Sequence, residues 1–414
     1  MRDLTVRGRC FLAAGLAAVI CGVQIGERDF VRIGLLALAV PLVAWVLVRR
    51  SERRVWVRRD LSSLRVEAGD TAQVQVELGP QGRRRTGVLL VEETLPEALG
   101  AGHQFLVDPL EAGGRTTLHY ALHARQRGRY PVGPLHLHVS DPLGMADLDE
   151  ELDSSATLLV TPRTEALPRI ALTGRWAGAG ENRARELLGG GSPDTTIREY
   201  RLGDDLRRIH WPTSARTSEL MVRREEQEWQ LRCTLLLDHR RRSHRGRGAA
   251  SSLEAAVSAA ASVLRHLTAQ GFEVRLVTAA GRAGSPGWHQ GDRGVGLQQQ
   301  LERLAVLGAG TEEQLATDWV DETQHGGMLV AVLGHLDDGD RRTLAGLASA
   351  GDAAYAVVLD VAGWERHAPT HGAGLTHHHA SAGPATTDLR LGGWKAATLT
   401  RDGSLPAAWQ ELGR

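Results

Sequence analysis

Two apolar runs fill most of the first fifty residues, and they fix the surroundings of the chain before any fold is considered. Cys10 to Gly26 reads CFLAAGLAAVICGVQIG, and Phe30 to Val48 reads FVRIGLLALAVPLVAWVLV. Each has roughly the ~17–25 residues that a spanning helix needs. Arg32 interrupts the second run near its start, where a long side chain reaches the headgroups. Glu27-Arg28-Asp29 forms a tight polar turn between them. The pair predicts a transmembrane helical hairpin in residues 1–50, with helices at about 10–26 and 30–48. A secretory signal is the competing reading, and the basic start suits it. No small-x-small cleavage site follows the first run, however, and Ile20 stands before Cys21 where a lipoprotein signal wants a small residue. A second run follows at once, which favours two anchors.

Arginine placement gives the orientation. Arg2, Arg7 and Arg9 precede the first run, and Arg49, Arg50, Arg53, Arg54, Arg58 and Arg59 follow the second. The turn holds Arg28 alone, between two acids. The positive-inside rule then puts both ends in the cytoplasm, on a multi-pass protein of the cell membrane. The lipid bilayer is the first partner the sequence implies.

At 414 residues the chain has room for two or three domains. Its 49 basic residues balance 49 acidic ones, whereas a nucleic-acid-binding domain usually carries a strong basic excess. No nucleic-acid partner is expected. All but one of the basic residues are arginines; Lys395 is the exception, so the phosphate-loop signature GxxxxGK[ST] is excluded. Cys10, Cys21 and Cys233 form neither a disulfide framework nor a CxxC pair, and the sequence points to no cofactor and no metal.

Residues 51–165 read as strands. Thr71 to Leu78 and Val132 to Val139 alternate with period two, Val88 to Glu93 and Ala156 to Pro162 less regularly, and turn residues punctuate them. That spacing predicts a small immunoglobulin-like β sandwich acting as scaffold or interaction domain. A connector spans 166–230 and holds Gly189-Gly190-Gly191-Ser192, which reads as a hinge because no strand–helix context frames it. In residues 231–414 the period changes. Strands at Leu231–Leu237, Phe272–Thr278, Met328–Leu333, Tyr355–Val361 and Trp394–Thr400 alternate with helices. Those helices are predicted at about Ala249–Gln270, Val295–Leu307, Asp340–Ala350 and Leu405–Leu412, the last capped by Ser404. Such alternation predicts a largely parallel sheet in a Rossmann-like α/β domain. His367, His371, His377, His378 and His379 lie in a Gly- and Pro-containing loop, 363–388, without a zinc pattern, and read as a polar loop.

One stretch is unlike ordinary core or loop sequence: REYRLGDDLRRIHWPTSAR, Arg198 to Arg216, followed by LMVRREE from Leu220. With Arg127-Gly-Arg-Tyr-Pro-Val-Gly-Pro134 and Asp141-Pro-Leu-Gly144, it resembles the domain of unknown function 58 family. The resemblance implies a C-terminal half like a von Willebrand factor type A domain and a MoxR-type AAA+ ATPase as partner. It also marks Arg198, Tyr200, Gly203, Asp204, Arg207, Trp211, Ala215, Arg216 and Arg223 as binding or signature positions. Read from the residues, Gly203-Asp204-Asp205 turns into a short helix that Pro212 ends. Its mixture of arginines and acids suits either an ion-pair clasp between domains or a face for an anion or a partner.

Type A domains hold a metal through DxSxS after the first strand. Asp238 fills the first place, but Arg240 and Arg242 stand where the serines belong. A hard cation wants oxygen ligands, which guanidinium lacks, so the site reads as degenerate. Arg240, Arg241 and Arg242 begin a basic loop, 239–247, read as solvated or as a grip for an acidic surface. No GxSxG elbow, paired-carboxylate motif or Ser/His/Asp ordering supports an enzyme. The expectation is a membrane-anchored adaptor working with an AAA+ ATPase in protein assembly or remodelling. Alternatives are a module binding anions, lipid or nucleic acid through the loop, and an enzyme built on the signature.

Overall fold

The computed structural model describes residues 4–50, 55–83, 85–140, 143–172, 196–199, 211–217, 219–224, 232–281, 293–320, 327–351, 353–365 and 384–414. Most of the signature's first half, the glycine cluster and the histidines of the late loop lie outside them. The chain divides into two compact units, Met1–Arg163 with Leu301–Leu307, and Thr164–Gln300 with Gly308–Arg414.

The first unit opens with α1 (Val6–Ile25) and α2 (Arg28–Arg50), both long and apolar enough to cross a membrane. They are longer than the apolar runs alone predict, because arginines at the ends extend each helix. Gly26 ends α1 at φ 81°, a left-handed conformation that glycine adopts without cost, so the turn shrinks to almost nothing. The helices meet along glycines seven residues apart. A Cβ on Gly15 would lie 2.9 Å from Leu38 Cγ, and one on Gly22 would lie 2.8 Å from the Val31 nitrogen. Gly34 answers from α2, where a Cβ would lie 2.7 Å from Val19 Cγ2. Small residues let the backbones approach, the usual basis of helix contact in lipid.

Ten strands follow: β1 (Val55–Leu61), β2 (Arg65–Glu67), β3 (Thr71–Pro80), β4 (Val88–Glu93), β5 (His103–Val107), β6 (Thr116–His123), β7 (Gly128–Val132), β8 (Leu135–Ser140), β9 (Asp147–Leu152) and β10 (Ala156–Thr161). They form sheets ordered β1-β3-β6, β2-β10-β7 and β5-β4-β8-β9 around one core that includes Val74, Val76, Leu89, Leu122, Leu137 and Leu158. The single strand predicted over Val132–Val139 is in fact two. Gly133 at φ 99° turns the chain, and Pro134 has no N–H for a ladder.

Inside this unit lies a charged cluster that alternation did not reveal. Arg59 donates to both carboxylate oxygens of Glu93, at 2.9 and 3.0 Å, and the Tyr120 hydroxyl donates to Glu93 Oε2 at 2.6 Å. The Arg59 and Glu93 side chains are buried. Burial, reinforced by the Glu93 carboxylate, pushes the Tyr120 hydroxyl pKa far up, so it stays a donor. A Cβ on Gly133 would lie 3.1 Å from Arg59 Nη2, and Tyr130 Oη donates to the carbonyls of Gln126 and Arg127. The Arg127–Pro134 motif thus folds on itself and lies against this cluster.

In the second unit, β11 (Thr196–Glu199) pairs antiparallel with β12 (Met221–Arg224), and α3 (Trp211–Thr217) lies between them in sequence. Pro212 lies within α3, so helix continues past the proline at which the sequence reading ends one; the residues of that expected helix before Trp211 lie outside the described ones. Then come β13 (Arg232–Leu237), α4 (Ser252–Ala269), β14 (Glu273–Thr278), α5 (Arg293–Val306, whose residues from Leu301 on are counted with the first unit), β15 (Met328–Leu333), α6 (Asp338–Ala350), β16 (Ala353–Leu359), α7 (Val361–Glu365), α8 (Pro384–Leu391), β17 (Lys395–Leu399) and α9 (Leu405–Glu411). Ser404 sits at the N-cap of α9 as predicted, but its side chain makes no capping bond.

The five strands β13–β17 pair in parallel, ordered β14-β13-β15-β16-β17. Leu344 and Leu347 of α6 and Leu389 of α8 pack with Leu236, Ala331 and Ala356. On α4, His266 meets Trp409 of α9 edge to face. At the sheet edge, Gln300 accepts from the Leu276 N–H at 3.0 Å and donates to the Val274 carbonyl at 2.8 Å, so a side-chain amide stands in for a missing strand.

Candidate functional site

Strand order 2-1-3-4-5 reverses direction between its first and third strands, here β13 and β15. In open α/β sheets the crevice beyond the strand ends at such a switch point is where ligands bind. Two segments leave the sheet there, Asp238 to Arg247 after β13 and Gly334 to Asp340 after β15.

The crevice is filled by an arginine. Arg240 is fully buried. Its Nε and Nη2 donate to Asp238 Oδ1 and Oδ2, both at 2.9 Å. Nη1 and Nη2 donate to Asp340 Oδ1 and Oδ2 at 2.7 and 3.1 Å, and Nη1 also reaches the Glu313 carbonyl at 3.2 Å. A guanidinium carries five N–H donors, and these five contacts use them all. Arg242 lies outside it, half-buried, bonded to Asp337 Oδ2 at 2.5 Å and to both oxygens of Asp340 at 3.1 and 3.0 Å.

The acids are placed by a helix start. Asp337 is the N-cap of α6; its Oδ1 accepts from the Asp340 N–H at 2.8 Å, and Asp340 Oδ2 accepts from the Asp337 N–H at 3.2 Å. This capping box turns the remaining carboxylate edges toward the two arginines, and the helix N-terminus favours their charge. Burial alone raises the Asp238 carboxyl, but Arg240 against it holds it below the ordinary carboxylate range. Burial works against the Arg240 charge too, yet Asp238 and Asp340 push its pKa further up. Arg242 holds Asp337 well below its usual value.

His244 locks the loop from beneath. Its Nε2–H donates to the Asp238 carbonyl at 2.7 Å, which leaves Nδ1 to accept from the buried Ser252 hydroxyl at 3.1 Å. Ser252 Oγ in turn accepts from the Arg245 N–H at 2.9 Å. Burial lowers the pKa of His244 and of its neighbour His239, keeping both neutral. Ser252 and His244 are paired as a nucleophile and base are, but the serine is wholly inside the protein.

The predicted basic loop therefore divides. Arg240 points inward, Arg242 is tied to two aspartates, and Arg245 pairs with Glu365 at 2.5 Å. Arg241 and Arg247 alone among the loop's arginines are exposed. The reading of Arg240–Arg242 as one solvated run is corrected: Asp238 and Asp340 engage Arg240, Asp337 and Asp340 engage Arg242, and Arg241 alone of the three is exposed. Asp337 and Asp340 were missed by the sequence reading. The signal was available, since an acidic run directly after a buried strand faces the same sheet edge as Asp238.

Of the signature positions, Trp211, Ala215 and Arg216 lie exposed on α3, Trp211 at 66%. Arg198 stands opposite Val222, and Arg223 opposite Ile197, in the β11–β12 ladder. Ser214, unremarked in the sequence, accepts from the Met221 N–H at 2.9 Å and so ties α3 to β12. Tyr200, Gly203, Asp204 and Arg207 fall outside the described residues. Among the described residues, no group of three or more His, Cys, Asp or Glu is arranged to hold a metal ion.

The fold and site define a protein with two membrane-spanning-type helices, a β-rich unit, and a parallel α/β domain whose switch point is closed by ion pairs. Residues 196–360 match the family described as Protein of unknown function DUF58. A relative, the uncharacterized protein YeaD of Bacillus subtilis, is 24% identical over 279 residues, covering 64% of this chain and 66% of its own, just under two thirds. Solved structures align over shorter stretches. Alkylpurine DNA glycosylase AlkC of Pseudomonas fluorescens is 15% identical over 32% of this chain and 39% of its own, with a TM-score of 0.19. The CARDB domain of PF1109 from Pyrococcus furiosus is 16% identical over 26% of this chain and 90% of its own, also with a TM-score of 0.19. Overlap that low bears on neither fold nor function.

Proposed function

We propose that this chain is a membrane-anchored, cytosol-facing adaptor rather than an enzyme. Its β-rich part is read as an immunoglobulin-like sandwich and its α/β domain as von Willebrand factor type A-like. The partner that the family resemblance implies is a MoxR-type AAA+ ATPase, in assembly or remodelling of other proteins. One observation carries the reading. The side chains that chemistry at the switch point would need free are committed to one another, with every N–H of Arg240 and both oxygens of Asp238 engaged. Such a network holds a surface in shape and transfers no protons. Neither a divalent ion nor nucleic acid enters the account.

The exposed Arg241 and Arg247 favour a second reading, in which the rim binds a phosphate-bearing surface or polymer. The two part in one experiment. Full-length protein in nanodiscs is mixed with the MoxR-type ATPase of the same genome, in EDTA and at rising salt, and formation of the complex is followed. The adaptor reading expects a complex that survives chelation and is weakened by R241E/R247E. Absence of that complex, with binding to heparin that falls steeply with salt, supports the second reading instead.

A further inference from the structure

We infer that the connection between β8 and β9, at Leu143 to Met145, is a membrane contact that seats the β-rich unit on the bilayer. This rests on reading α1 and α2 as spanning helices. The hairpin is no loose tether. Thr5 caps α1 and at the same time donates its hydroxyl to the Gly144 carbonyl at 2.8 Å, while its N–H donates to the Met145 carbonyl at 3.0 Å. Leu4 pairs with Ala146 as an antiparallel bridge. A Cβ on Gly8 would collide with the Met145 carbonyl, so glycine there is what lets the loop close on the helix.

Met145 and Ala146 are buried with Leu4, Ala44 and Val48, and Leu12, Val40 and Trp45 pack against that cluster. Depth follows from helix geometry. At about 1.5 Å per residue, the 20 residues of α1 span about 30 Å, close to the thickness of the hydrocarbon core. The loop's carbonyls meet Thr5 and Gly8 at the start of α1, and Gly8 lies only about 3 Å in from Val6 along the helix axis. A loop packed there is at the acyl–headgroup boundary. Leu143 presents its side chain there, 58% exposed, and Val6 of α1 is 74% exposed. Trp45, Arg7 and Arg9 supply the residue types that favour this boundary. The occupant of this apolar patch is lipid, continuous with the lipid around the hairpin.

The test uses the full chain in nanodiscs, in a C10A/C21A background; Cys233 is buried and does not label. A fluorophore is placed by L143C, by L36C in the middle of α2, or by D402C on an exposed turn of the second unit. Quenching is compared between nitroxide lipids and aqueous iodide. The inference expects the Leu143 site to lose most of its emission to a nitroxide high on the acyl chain and to resist iodide, opposite to Asp402. Iodide quenching at Leu143 like that at Asp402, with Leu36 quenched by a deep nitroxide, overturns the membrane contact and leaves the hairpin standing. Loss of lipid quenching at Leu36 as well overturns both.

Discussion

Arg240 and Asp340 meet as fork to fork, two N–H···O contacts of 2.7 and 3.1 Å across one hundred residues of sequence, with both side chains withdrawn from water. Asp340 is held by the start of one helix and Arg240 by the end of one strand, so the pair joins the two segments that leave the sheet at its switch point. A crevice that general topology reserves for ligands is thereby closed with the chain's own charges. Buried ion pairs add little net stability over an apolar core, but breaking one side of such a pair is costly. The network therefore fixes one arrangement of the rim on which Arg241 and Arg247 stand.

A comparable dependence holds in the β-rich unit. E93A, which strands Arg59 and the Tyr120 hydroxyl, is expected to cost about 3–5 kcal/mol, and Y120F about 1–2 kcal/mol. D60A, at an exposed pair, should cost under about 1 kcal/mol. Denaturant unfolding in detergent, followed by a probe in this unit, checks the order.

The second unit should weaken as pH falls. Burial lowers the pKa of His239, His244 and His266, so the unfolded chain takes protons near the ordinary value of about 6.5 while the folded one resists them. Their contribution is fully present above that pH and is lost as pH falls through and below it. Asp238 and Asp337, with lowered values, add a further loss only below about pH 4. His138, raised by its hydrogen bond to Asp149, has the opposite sign but lies in the other unit. Melting at pH 7.5 should exceed that at pH 5.5, and H244Q should flatten the slope. An unchanged slope in H244Q would remove His244 from the account.

The glycine seam of the hairpin has no spare room. G15V places methyls against Leu38 and the Gly34 carbonyl, and overpacking of this kind costs about 1–3 kcal/mol. Nitroxides at Leu16 and Leu36, both exposed, should report a longer separation in G15V than in the parent protein.

Topology is open to direct reading. Reporter fusions after Arg59 and at Arg414 should both report cytoplasm. A signal from the far side at either point contradicts the orientation drawn from the arginines.

The hairpin and the parallel sheet were legible because each rests on a period or a run length. Met328–Leu333 is a strand with the same bounds in sequence and structure, since six consecutive buried apolar residues leave little choice. The Gly15 and Gly22 seam was present in the sequence but unread, because hydropathy does not register which face is small. The switch-point cluster was half legible. Asp238, Arg240 and Arg242 stood out against an expected DxSxS, but their charges read as surplus because Asp337 and Asp340 come about a hundred residues later. Pairing across that distance depends on strand order, which local pattern does not contain. The same limit hid Glu93, which alternates on β4 like any strand residue yet faces inward to Arg59.

The central claim, that Arg240 and Asp340 are the fixed pair closing the switch point, is tested most directly by a double-mutant cycle. Unfolding free energies of the parent protein, R240A, D340A and R240A/D340A are measured at pH 7.5 in detergent, monitored in the second unit. Each single change should be severely destabilising, and the double change much less so than their sum, giving a coupling of about 2–3 kcal/mol. Additivity within about 0.5 kcal/mol contradicts the account, because it leaves the two side chains energetically independent.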